Sequence, residues 1–181
     1  MPHYELHIDL EFDGLNLIGF PPSADPQLQC SIRCLACTDL KTATFSLSDA
    51  HESEDGRTML HYSATCKCKS PVMHKMWLCP LKPLIKPKDP LPYISEHFCQ
   101  IGTSGASDDD DDKAKPTTNT LFAVIEARGC ELVSYEVINT EWVATDGKSF
   151  YTVGDLTTDG YYDVNNNDES ISVTLLKYRV Q

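Results

Sequence analysis

His3–Phe12 reads HYELHIDLEF. Tyr4, Leu6, Ile8, Leu10 and Phe12 fall on one side of an extended chain, and His3, Glu5, His7, Asp9 and Glu11 fall on the other. Alternation with a period of two predicts a strand with one face in a core and the other in water. The same texture recurs in Gln29–Cys34, Lys41–Leu47, Met59–Thr65, Val72–Leu78, Leu121–Arg128, Ser134–Val143, Ser149–Val153 and Ser170–Val180. These are short runs of β-branched and aromatic residues bounded by Gly, Asp, Asn and Pro, and no segment sustains a 3.6-residue period. The reading is an all-β (β-rich) protein.

Between Pro80 and Thr120 the texture changes. Five prolines (80, 83, 87, 90 and 92) precede GTSGAS and five consecutive aspartates at 108–112. Prolines remove ladder donors and like charges repel, so this stretch predicts a linker, disordered in its later part. The implied organisation is an N-terminal β half (1–83), a Pro/Asp-rich linker (84–120) and a C-terminal β half (121–181).

The two halves resemble one another. LEFDGLNLIGF (Leu10–Phe20) aligns with IEARGCELVSY (Ile125–Tyr135), matching Glu11 to Glu126, Gly14 to Gly129, Leu17 to Leu132 and Phe20 to Tyr135. Further on, CTDLKTATFSLSD (Cys37–Asp49) aligns with ATDGKSFYTVGD (Ala144–Asp155) through Thr38/Thr145, Asp39/Asp146 and Lys41/Lys148. Two blocks in the same order predict a duplicated β unit. Cys34 and Cys37 fall opposite Glu141 and Ala144, so the second half keeps the turn and lacks the thiols.

The 181 residues carry a net charge of -12. That charge argues against a nucleic-acid or anionic membrane partner, and the densest basic stretch holds only Lys82, Lys86 and Lys88 among prolines. No apolar run is long enough for a membrane span, and MPHYELHIDLEF lacks the basic-then-apolar layout of a secretory signal. A cytoplasmic or nuclear monomer is expected, with any protein partner unidentified.

In a reducing compartment, eight cysteines favour metal ligation or plain thiols over a disulfide framework. Two pairs are tight, Cys34/Cys37 in RCLACTDL and Cys66/Cys68 in TCKCKSP. Structural zinc is tetrahedral, and a short knuckle delivers two thiolates to one ion. The pairs therefore predict one structural zinc on Cys34, Cys37, Cys66 and Cys68, with Arg33, Lys41, Lys67 and Lys69 near enough in sequence to moderate its charge. Residues two apart in a strand stand about 6.5 Å apart along the chain, so Cys66 and Cys68 can both ligate only where the backbone turns. Cys30, His61 and His74 are the reserve ligands.

Copper(I) shares the preference for thiolates. A thiol redox pair at Cys34/Cys37 requires a helix after the motif, and β-branched and turn residues follow instead. Cys79, Cys99 and Cys130 read as ordinary buried thiols. The acidic run from Asp155 to Glu169 lacks the register of a calcium loop and reads as a solvated turn. No catalytic motif is present, and a non-enzymatic protein is expected.

Together, LEFDGLNL, RCLACTDL, TCKCKSP, VIEARGCELVSYEV and ISVTLLKYRV after GDLTTDGYYDV resemble the eukaryotic CXXC-motif-containing zinc-binding proteins, a family of small proteins without an established biochemical role. The resemblance implies two related β-rich halves about a pseudo-twofold, with one zinc in the N-terminal half. It places the family's first knuckle on Cys34 and Cys37. The family's second knuckle is normally C-x-x-C, and this chain carries C-x-C at Cys66 and Cys68.

Overall fold

The computed structural model describes residues 2–21, 24–46, 48–53, 56, 59–68, 71–79, 99–100, 117–156 and 159–181. The described chain is all β, as the alternating pattern predicts. In chain order the strands are β1 (His3–Asp13), β2 (Leu17–Gly19), β3 (Gln27–Cys34), β4 (Leu40–Ser46), β5 (His51–Glu52), β6 (Met59–Leu60), β7 (Tyr62–Thr65) and β8 (Met73–Cys79). They continue as β9 (Cys99–Gln100), β10 (Thr117–Arg128), β11 (Cys130–Ile138), β12 (Trp142–Thr145), β13 (Phe150–Gly154), β14 (Tyr161–Val164) and β15 (Ser170–Val180). Most of the stretch read as a linker lies outside the described residues, but β9 and the start of β10 fall within its bounds.

The largest sheet runs β14-β15-β1-β10-β8-β7 and curls into a half-barrel. Two smaller sheets, β11-β3-β4 and β13-β12-β2-β9, pack with it. β1 supplies Leu6, Ile8, Leu10 and Phe12 to the core, on the face that the alternation assigned. Phe20, Phe122 and Trp142 meet in that core, with the Phe20 and Trp142 rings 4.3 Å apart. Tyr135 of β11 anchors the second sheet to the first: its hydroxyl donates to the His7 carbonyl at 2.9 Å, and its ring lies 5.1 Å from that of Tyr178.

Strands from the two ends of the chain interleave. Exchanging β1 with β10, β7 with β14 and β8 with β15 turns the order of the six-stranded sheet into its own reverse. The same exchange, with β2 for β11, β3 for β12 and β4 for β13, turns β11-β3-β4 into β2-β12-β13. Gly14 and Gly129, aligned by sequence, both take left-handed backbone (φ 64° and 77°). A Cβ on Gly14 would press on the Ser170 carbonyl at the start of β15, and one on Gly129 on the Met73 carbonyl at the start of β8.

The β12–β13 turn is ordered by one carboxylate. Asp146 Oδ1 accepts from the Lys148 and Ser149 backbone N–H groups at 2.8 and 2.7 Å, and Oδ2 accepts from the Tyr151 hydroxyl at 2.9 Å. Burial raises the pKa of this carboxyl, but the three donors outweigh it and hold the group below the usual aspartate range. A folded-state value below the unfolded one gives stability that is present above the unfolded pKa and lost as pH falls through the folded value. Asp146→Asn is therefore expected to cost on the order of 1 kcal/mol at pH 7, discounted for partial exposure, and progressively less as pH falls below about 4. Urea unfolding of both proteins at neutral and acid pH measures the convergence.

Candidate metal centre

Cys34 closes β3 and is fully buried, in register with Cys130 of β11. The chain then turns tightly: the Cys34 N–H donates to the Asp39 carbonyl at 3.1 Å and the Thr38 N–H to the Cys34 carbonyl at 2.9 Å. Thr38 takes left-handed backbone (φ 61°), an uncommon conformation for a β-branched residue. This turn aims backbone donors at sulfur. The N–H groups of Cys37 and Ala36 bond the Cys34 sulfur, and that of Asp39 bonds the Cys37 sulfur.

The second knuckle forms because the strand ends before it. β7 stops at Thr65, the Cys66 N–H bonds the Val72 carbonyl at 2.8 Å, and Cys68 lies in a bend whose N–H serves the Cys66 sulfur. The extended spacing that would keep two sulfurs apart therefore does not apply. All four sulfurs lie within 4.8 Å of one another, and those of Cys37 and Cys66 are 3.8 Å apart. Four ligands at 2.3 Å from a tetrahedral ion stand about 3.8 Å from each other. The donor set and its spacing fit zinc.

The corner between β10 and β11 holds the knuckles together. The Leu35 N–H donates to the Gly129 carbonyl at 3.2 Å, and the missing Gly129 side chain leaves room for Met73, where β8 departs from the second knuckle. Gly129 was visible in the sequence as half of the Gly14/Gly129 match, although its place beside the sulfurs was not.

The thiols are not equivalent. Cys34 is pulled down to about 6, first by the Cys37 N–H and next by the His74 side chain. At Cys37 the Asp39 N–H lowers the pKa, but burial and the neighbouring thiols of Cys34 and Cys66 carry it upward; burial and Cys68 do the same to Cys66. The Lys41 ammonium faces this sulfur, and its pKa is raised by Cys66, then Cys37 and Asp39. Lys41 is thus placed to offset thiolate charge. Arg33 bonds Glu131 at 2.7 Å, and Lys69 lies outside the described residues.

The reserve ligands lie outside the group of four sulfurs. His74 is buried beside Cys34 without entering the group of four. His61 turns Nδ1 to the Leu78 N–H at 3.2 Å, and Cys30 is buried in β3 with its thiol pushed up to about 12 by burial. Cys130 is a buried thiol as expected, whereas Cys79 is only half-buried; the Cys99 side chain lies outside the described residues.

In the C-terminal part, the β12–β13 and β14–β15 turns are joined by a hydrogen bond from Asn166 Nδ2 to Ser149 Oγ at 2.9 Å. Asn165 Oδ1 closes the latter turn by accepting from the Asn167 and Glu169 N–H groups at 2.8 and 3.0 Å.

The family profile of the eukaryotic CXXC-motif-containing zinc-binding proteins matches residues 5–181. The chain belongs to this family. Two solved structures share the fold of this CXXC zinc-binding family member. A "Hypothetical protein from plasmodium falciparum" superposes with a TM-score of 0.68 at 15% identity, covering 100% of both chains. The crystal structure of C1orf123 gives 0.63 at 15% identity, covering 99% of this CXXC family chain and 98% of its own. No curated protein matches.

Proposed function

We propose that this chain is a non-enzymatic protein that binds one structural zinc ion through Cys34, Cys37, Cys66 and Cys68 and serves as an interaction or metal-handling module. The observation that carries the reading is the convergence of two knuckles, each with N–H donors aimed at sulfur, on a sulfur spacing suited to a tetrahedral ion. The ion clamps the β3–β4 turn to the β7–β8 turn and contributes folding energy. The chain is read as a duplicated β unit with a pseudo-twofold. The reversible strand order and the shared glycine corners support that reading, with the Asn166–Ser149 link taking the place of metal in the second copy.

The protein is read as a cytoplasmic or nuclear monomer that engages neither nucleic acid nor membrane. No helix among the described residues is long and apolar enough to cross a membrane. Metal analysis of the reduced protein is expected to find about one tightly held zinc per chain, lost in the double variant Cys34→Ser/Cys37→Ser. Copper recovered in place of zinc favours copper(I) handling. A metal-free protein that forms a reversible Cys34–Cys37 disulfide favours the redox reading and overturns the zinc proposal.

A further inference from the structure

We propose that His3, Cys79 and Glu126 form a second divalent-metal site, exchangeable and independent of the four-cysteine cluster. The three residues come from β1, β8 and β10, adjacent in the order β1-β10-β8 of the largest sheet. His3 pairs directly with Glu126 across β1 and β10, and Cys79 pairs with Val124, two residues from Glu126 on the same face of β10. That face points away from the core, since Ile125 and Ala127 on either side of Glu126 are fully buried. One ligand atom from each residue lies within 4.8 Å of the other two, and His3 Nε2 is 3.3 Å from Glu126 Oε1.

One imidazole nitrogen, one thiolate and one carboxylate oxygen are the donor types zinc takes, and three protein ligands leave its fourth position to water. The His3 and Glu126 side chains are 59% and 20% exposed, so an ion reaches the site from solvent without any strand moving. On binding, the Cys79 thiol proton leaves to solvent and the sulfur enters as thiolate, while His3 binds as neutral imidazole. Rigid strands fix the geometry, and exposure makes the ion exchangeable. In this the site differs from the cysteine cluster, where Cys34 and Cys66 are buried.

Cobalt(II) is the probe, because a cobalt–thiolate bond gives a near-ultraviolet charge-transfer band and Trp77, in register with Glu126, reports paramagnetic quenching. Full-length reduced protein, already holding whatever metal it purifies with, is titrated with Co²⁺. About one further equivalent is expected, with a thiolate band and quenched Trp fluorescence. Cys79→Ser is expected to abolish the band. His3→Asn, at an exposed position that leaves folding intact, is expected to weaken uptake by at least about tenfold, since loss of an outer-shell partner alone costs 10–100-fold. The Cys34→Ser/Cys37→Ser variant keeps the response if it folds, which separates this site from the cluster. Failure to take up additional cobalt, or a band unchanged in both Cys79→Ser and His3→Asn, overturns the proposal.

Discussion

Removing the metal from the reduced protein with a chelator is expected to lower its stability by on the order of 5 kcal/mol or more, or roughly 10–20 °C in the unfolding midpoint of a chain this size. Structural zinc in small peptides supplies about 10–16 kcal/mol of folding energy, because the site does not exist without folding. Here the protein's own hydrogen bonds share in holding the site. Backbone N–H groups hold the sulfurs of Cys34, Cys37 and Cys66, and the Gly129 corner holds both turns. The loss is therefore smaller than in a zinc finger, where the metal replaces a core. It is still large, because stripping the ion leaves Cys34, at 0% exposure, beside three other thiols, with Lys41 and His74 offsetting part of the thiolate charge. Calorimetry with and without chelator measures the shift; hydrogen exchange should accelerate first at the amides of Leu35, Thr38 and Cys66. An unchanged midpoint after verified metal removal would refute the clamp.

Gly129→Ala is expected to cost more than about 4 kcal/mol, in the range that marks a specific structural failure. Two penalties add. The left-handed φ of 77° costs an L-residue about 1–2 kcal/mol, and the new methyl would sit far inside van der Waals contact with the Met73 carbonyl oxygen. Backbone cannot swing aside as a long side chain can, so β8 or β11 has to shift. Gly154→Ala provides the control: its φ is 72° but nothing lies within 4 Å of the added carbon, so only the conformational penalty of about 1–2 kcal/mol is expected. Urea unfolding of both variants separates crowding from backbone strain. Because Gly129 joins the two knuckles, its variant is also expected to hold metal more weakly than the Gly154 variant.

The longer strands were legible because burial on one face imposes a two-residue period, seen most clearly in Tyr4 to Phe12. Ser134–Val143 read as one run, whereas the chain breaks it at Asn139, whose φ of 53° ends β11 before β12. Asn tolerates that conformation, so the signal was present but lacked a flanking glycine or proline. β14 was missed because Tyr161–Val164 is short and mostly exposed, leaving no apolar alternation to detect. The four paired cysteines declared themselves through spacing. The turn at Cys66–Cys68 did not, because it depends on a bond to Val72 that spacing leaves open. The grouping of His3, Cys79 and Glu126 depends on sheet register between distant segments, which no local pattern encodes.

The interleaving of strands has a consequence for synthesis. β1 is made before both strands that complete its hydrogen bonding, because β10 and β15 follow the Cys34/Cys37 knuckle and the long Pro/Asp-rich stretch in the chain. Until then a strand carrying Leu6, Ile8, Leu10 and Phe12 has two open edges, the condition under which chains pair with the wrong neighbour. All four zinc-type ligands, by contrast, are present once residue 68 is made. A metal bound at that stage would fasten the first-made turns to each other while β1 waits for its partners, acting as a brace during manufacture as well as a fixture of the finished protein.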